Sequence, residues 1–201
     1  MVITWYGNAC LGIETRERGE ESKSLIFFPQ DKTSRSHAME ERAAIVVVPQ
    51  DVKPNEGVFA IIGPGEYELA GFSIYAVPAN ISGSFGAAVK IHVENMNVLW
   101  LPALPTRPLS DKEFDDIGEI DIFLLPLNQE KNGKYISPDA ATAVSLMNAV
   151  EPKLTIPFAR EEKTMRDFFE EAGVKNAETL DKFSIRKKDL PEELQIIHLK
   201  V

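Results

Sequence analysis

One cysteine and three histidines are all that this 201-residue sequence offers as sulfur or imidazole ligands. With Cys10 alone, no disulfide can form within the chain, which suits a reducing compartment. His37, His92 and His198 are scattered, so a zinc finger is excluded and any histidine-based metal centre is strained. Long apolar runs are also missing. Ala43 to Pro49 is among the longest, far short of the roughly 20 residues of a membrane span. Met1-Val2-Ile3-Thr4-Trp5-Tyr6-Gly7 has no basic region followed by an apolar stretch, so no signal peptide is expected and the expected location is cytoplasmic. Positive charge is in deficit too: 22 basic against 31 acidic residues leave a net charge of −9. That balance works against nucleic-acid binding, which needs a basic patch to displace counterions. The densest basic group, Arg186-Lys187-Lys188, is followed at once by Asp189, Glu192 and Glu193, and reads as a solvated turn.

What is present fits one globular domain over residues 1–201. The first half reads as strands: Val2–Tyr6, Cys10–Glu14, Leu25–Phe28, Ile45–Val48, Val58–Ile62, Phe72–Val77, Ala87–Val93 and Val98–Leu101. The second half mixes strands and helices. Ser110-Asp111-Lys112-Glu113 is a capping box opening a short helix toward Ile117. Ser137-Pro138-Asp139 offers an N-cap and a first-turn proline for a helix ending near Val150. A further helix is expected over Glu161–Glu171, closed by Gly173. Ile122–Leu125, Lys153–Ile156, Phe183–Ile185 and Gln195–Leu199 complete the strands. Helices flanking strands in one continuous chain imply layered sheets with helices outside.

The wording of the segments goes further. Ile3-Thr4-Trp5-Tyr6-Gly7-Asn8-Ala9-Cys10, Gly63-Pro64-Gly65-Glu66-Tyr67-Glu68-Leu69, Ile120-Asp121-Ile122-Phe123-Leu124-Leu125-Pro126-Leu127 and Glu151-Pro152-Lys153-Leu154-Thr155-Ile156-Pro157 follow one another along the chain. So does a tail from Leu180-Asp181-Lys182 to Lys188-Asp189-Leu190-Pro191. Together they resemble the metallo-β-lactamase superfamily, in its branch of small Zn-dependent hydrolases similar to L-ascorbate-6-phosphate lactonase. The resemblance implies an α+β fold, a four-layer αββα sandwich with a metal site at one edge. In active relatives that metal polarises the scissile group and brings the pKa of bound water toward ~7.

The resemblance also says where the ligands belong, and each place is changed. The family's first histidine falls at Asn8, and its Asp-Pro strand end reads Phe28-Pro29. Its H-x-H-x-D-H motif falls on Gln50, Val52, Pro54 and Asn55. Its later ligand-bearing segment falls at Trp100 and Ala103, and its last histidine at Ala159, after Ile156-Pro157-Phe158. Valine, proline and alanine side chains have no donor atom, and an amide is a weak ligand.

The resemblance therefore implies a metal-free, catalytically inactive relative serving as a binding or assembly module, with no cofactor. Its vacated edge is expected to be a cleft of Asn8, Gln50, Asn55, Glu66, Trp100, Ala103, Phe158 and Ala159. Such a cleft suits a small molecule, a protein partner or a second copy of the chain, and Trp100→Ala is expected to act on binding more than on turnover. The alternative is a lactone or phosphoester hydrolase using a divalent cation at an unconventional site, such as carboxylates from Asp31, Asp51 and Glu66. Other chemistries find less support. His92 alternates with apolar neighbours as a surface residue, and Cys10 enters a strand as a small buried side chain. Ser82-Gly83-Ser84 lacks a nucleophile elbow. Gly63-Pro64-Gly65 reads as a turn and not a phosphate cradle, because proline removes a backbone donor.

Overall fold

The computed structural model describes residues 1–15, 21–28, 43–49, 52–53, 56–81, 85–131, 134–175 and 177–201. Strands β1 (Val2–Gly7), β2 (Cys10–Thr15), β3 (Lys23–Phe27), β4 (Ile45–Val47) and β5 (Phe59–Ile61) open the chain. Next come β6 (Gly65–Leu69), β7 (Phe72–Pro78), β8 (Ala87–Val93) and β9 (Met96–Trp100), then helix α1 (Asp111–Ile117) and β10 (Ile122–Pro126). A small hairpin, β11 (Gln129–Lys131) and β12 (Lys134–Ile136), precedes α2 (Ala140–Val150), β13 (Leu154–Phe158) and α3 (Glu162–Glu171). The chain closes with β14 (Glu178–Leu180), β15 (Phe183–Ser184) and β16 (Gln195–Leu199).

Two sheets carry the fold. One is ordered β15-β1-β2-β3-β4-β5 and the other β14-β16-β13-β10-β9-β8-β7-β6. Period-two burial explains how they face each other. Phe72, Ile74 and Ala76 of β7 and Val89 and Ile91 of β8 point into the inter-sheet core, where they meet Ile3, Leu11, Ile13, Leu25 and Ile45. The central strand β10 is buried on both faces. Ile122 and Leu124 enter that core, while Phe123 and Leu125 join a second cluster with Leu146 and Met147 of α2 and Met165 and Phe168 of α3. Its unbroken apolar sequence follows from this double burial. Each such side chain, fully withdrawn from water, contributes about 1.5–3 kcal/mol. The outer face of the first sheet buries Tyr6, Cys10, Ile26, Val46 and Val48.

Helix ends follow local chemistry. At α1 the Ser110 hydroxyl accepts the Glu113 N–H, and the Glu113 carboxylate accepts the Ser110 N–H at 2.7 Å, completing the expected capping box. At α2 the expectation needs correction, because the N-cap is Asp139 and not Ser137. The Ser137 hydroxyl is engaged by Asn128 and Thr164, so the cap passes to the Asp139 carboxylate, which accepts from the Ala141 N–H at 3.3 Å. The remaining helix and strand expectations hold to within a few residues. Strands β6, β11, β12 and β14 were not expected from the sequence.

Candidate functional site

In the second sheet β9, β10 and β13 are parallel, with Trp100 opposite Leu124 and Phe158 opposite Pro126. Their C-terminal ends therefore share one edge. In the first sheet β3, β4 and β5 are also parallel, with Phe27, Val47 and Ile61 in register at their ends. Aromatic rings join the two edges. Trp100 stacks on Phe27, with centroids 4.5 Å apart and planes 20° from parallel. Phe28 meets the same indole edge to face at 4.9 Å, and Phe85 does so at 6.1 Å. Phe28 has a left-handed backbone, φ 44°, and its N–H extends the ladder by donating to the Val47 carbonyl at 2.8 Å. Thus Phe28 and Trp100, each at a position where the sequence resemblance implies a metal ligand, are in direct contact.

Trp100 is 0% exposed, and its indole N–H has no hydrogen-bond partner among the described residues. Phe158 is buried in the same inter-sheet core. Neither lines an open surface, which corrects the expected cleft at these two positions. Both rings are packed in the inter-sheet core, Trp100 against Phe27, Phe28 and Phe85. Ala103 is buried beside α1 and α2 in the outer cluster.

The other expected residues lie apart. Glu66 is exposed in the edge strand β6, three strands or about 14 Å from β9. Asn8 occupies the β1–β2 turn with φ 49°, and its carbonyl accepts the Trp5 indole N–H at 2.9 Å. Gln50, Asn55, Asp31, Asp51 and His37 lie outside the described residues. Ala159 lines a groove of about 890 Å³ with Trp5, Met165, Phe169, Val174 and His198. There the His198 imidazole lies edge-on to Phe169 at 5.2 Å, and burial lowers its pKa. His92 is exposed and paired with Asn97 at 2.9 Å, a surface role.

A buried amide that sequence reasoning did not single out organises the loops at this edge. The Asn128 side-chain oxygen accepts the Arg160 N–H at 2.9 Å, and its backbone carbonyl accepts the Leu104 N–H at 2.7 Å. Its amide nitrogen donates to Ser137 Oγ at 3.2 Å, and Ser137 reaches Thr164 at 2.8 Å. The segments bearing Ala103 and Ala159 are thereby tied to one residue. A polar residue closing the apolar run Ile122–Leu127 is the only sequence signal for it.

Among the described residues at this edge, the side chains of Phe28, Trp100, Ala103 and Ala159 do not fit a divalent metal. Phenylalanine and alanine supply no lone pair, and an indole N–H only donates. Among the described residues, no group of three or more histidine, cysteine, aspartate or glutamate side chains is placed to hold a metal ion.

Two sheets packed face to face, with helices outside and loops gathered at the C-terminal ends of the parallel strands, define a metallo-β-lactamase-type sandwich. The chain belongs to the β-lactamase superfamily, whose domain family matches residues 2–159. Solved structures agree on the fold. A protein from Thermotoga maritima, described as a candidate Zn-dependent hydrolase of the metallo-β-lactamase superfamily, has a TM-score of 0.69 at 20% identity over 100% of both chains. Igni18, a metallo hydrolase from Ignicoccus hospitalis, has a TM-score of 0.60 at 13% identity, over 92% of this chain and 99% of its own. YhfI from Bacillus subtilis, a metallo-β-lactamase-fold protein, has a TM-score of 0.60 at 10% identity, over 97% and 95%. No curated protein sequence matches the chain.

Proposed function

We propose that this protein, as a single domain over residues 1–201, is a catalytically silent, metal-free member of its superfamily that works by binding. The observation carrying this reading is the contact between Phe28 and Trp100 at 4.9 Å, two rings at positions where the sequence resemblance implies metal ligands. Hydrolysis in this fold depends on a metal to polarise the scissile bond and ionise water. Stacked rings supply neither function. The groove beside Ala159, walled by Trp5, Met165 and Phe169, offers an apolar surface for a small molecule or partner instead. The negative net charge disfavours nucleic acid, and the lone buried Cys10 suits the cytoplasm. No helix among the described residues is long and apolar enough to cross a membrane.

The test is elemental analysis of protein purified without chelators, paired with lactone and phosphodiester hydrolysis assays with and without added Mn²⁺. Less than about a tenth of an equivalent of zinc, manganese or iron, and no turnover above buffer, is expected. One bound equivalent with metal-dependent turnover overturns the reading in favour of an unconventional hydrolase.

A further inference from the structure

Alternation along β16 decides what its two faces carry. Ile197 and Leu199 enter the inter-sheet core, so His198 and Lys200 turn to the outer face. Helix α3 borders that face with Met165 and Phe169, one turn apart. Between them lies the groove of about 890 Å³, within the size range of small-molecule sites, and Trp5 and Val174 complete its apolar walls. His198 is the ionisable group within those walls. Its ring lies edge-on to Phe169 at 5.2 Å, and its Nδ1 is 3.4 Å from the hydroxyl of Thr179, its register partner on β14. Nε2 has no hydrogen-bond partner among the described residues. Charged side chains stand around the groove. Glu161, Glu162, Arg166 and Glu170 come from α3 and its N-cap, Lys175 from the segment after it, and Lys200 from β16. Lys200 also pairs with Asp181 at 3.5 Å. Three acids face three bases, and all six are exposed to water. A charged group buried against the walls would therefore lose its hydration and gain no counter-charge there.

We propose that this groove holds an uncharged molecule with an apolar ring body and a hydroxyl, which hydrogen-bonds His198 Nε2 and is released when that imidazole is protonated. A hydroxyl suits the site because it both donates and accepts, so it serves whichever tautomer Thr179 selects. The body lies against Trp5 and Phe169, whose rings take an apolar or aromatic face. Release on acidification follows from linkage. Burial already lowers the His198 pKa. A bound apolar body withdraws the ring further from water, so ligand and proton exclude each other. The proposal rests on the reading of this groove as a binding surface and not on the silence of the metal edge. Bound metal with turnover would overturn that silence and leave the ligand in place.

Three probes share one body and differ in charge: 2-naphthol, 2-naphthoate and 2-naphthylmethylamine. In NMR titrations of the full chain at about pH 7.5, 2-naphthol should shift the Trp5 indole N–H and the His198 ring signals and bind at least about tenfold more tightly than either charged analogue. Its affinity should fall by about threefold or more on going from about pH 7.5 to about pH 5. His198→Gln keeps a hydrogen-bonding group that does not titrate, so 2-naphthol should still bind and lose that pH dependence. A readout free of any variant is the His198 titration midpoint of the wild-type protein, which saturating 2-naphthol should lower further. No binding of 2-naphthol, or equal or tighter binding of a charged analogue, overturns the proposal. So does saturation without a shift at Trp5 and His198, a His198 midpoint that stays or rises, or pH dependence that survives in His198→Gln.

Discussion

Replacing Trp100 by alanine separates a packing role from a binding role. The indole is fully buried against Phe27, Phe28 and Phe85, so its removal withdraws apolar area and three ring contacts together. Truncating a buried tryptophan or phenylalanine typically costs about 3–5 kcal/mol. One contribution runs the other way: the unpartnered indole N–H is a buried donor whose desolvation costs about 1–3 kcal/mol, and alanine removes that burden. Subtracting the midpoints of the two ranges, the net expectation for Trp100→Ala is a loss of about 2 kcal/mol. Trp100→Phe keeps a ring on the stack and sheds the orphan donor, so it should lie within about 1.5 kcal/mol of wild type. Equilibrium urea unfolding followed by far-UV circular dichroism measures both. With a slope of about 2 kcal/mol/M, the alanine midpoint should drop by about 1 M. An alanine variant within about 0.5 kcal/mol of wild type would refute the packing argument and return Trp100 to a role in an open cleft.

Two further expectations concern charge. The Ser110 backbone and side chain, Arg107 and the Asn80 N–H together hold the Glu113 pKa down to about 2 against the effect of burial. This group adds stability that is complete above the ordinary carboxylate pKa and lost as pH falls toward about 2. Glu113→Gln should cost about 1–2 kcal/mol at pH 7 and flatten the acid limb of the stability profile; an unchanged limb would show that the network is solvated. His198 is held below its ordinary value of about 6.5 by burial against Phe169. Its NMR titration midpoint should fall below that value, and stability should decline as pH falls from about 6.5 toward that midpoint, because the unfolded chain takes the proton first. A midpoint at or above about 6.5 would mean that the ring faces bulk water.

Strand and helix types were legible in the sequence where one face or both are buried. The run Ile122–Leu125 announced a central strand, and Ser110 to Glu113 announced a helix start, because those patterns report local chemistry. β6 was missed for the opposite reason: Gly65-Glu66-Tyr67-Glu68-Leu69 sits at an edge, where glutamates alternate with half-exposed residues and Gly63-Pro64-Gly65 dominates the reading. The Ser137 cap misled because its hydroxyl is claimed by Asn128 and Thr164, partners that only the tertiary fold brings near. At the candidate site the sequence named Trp100 as a substitution and assigned it, together with Phe158, to a cleft wall. Whether a ring at a strand end faces solvent or the opposite sheet depends on Phe27 and Phe85, which no local pattern connects to it.

The Asn128 amide has a consequence for how such a domain responds to its surroundings. In a metalloenzyme, ligand-bearing loops are ordered partly by the ion, so stability rises and falls with free metal concentration through mass action. Here the loops bearing Ala103 and Ala159 are held by hydrogen bonds internal to the chain. On the proposed metal-free reading, the order of these two loops rests on Asn128 and not on divalent ions. On that reading a surface built there would keep one shape whether zinc is scarce or plentiful, a property that a recognition surface can use and a metal-dependent site lacks.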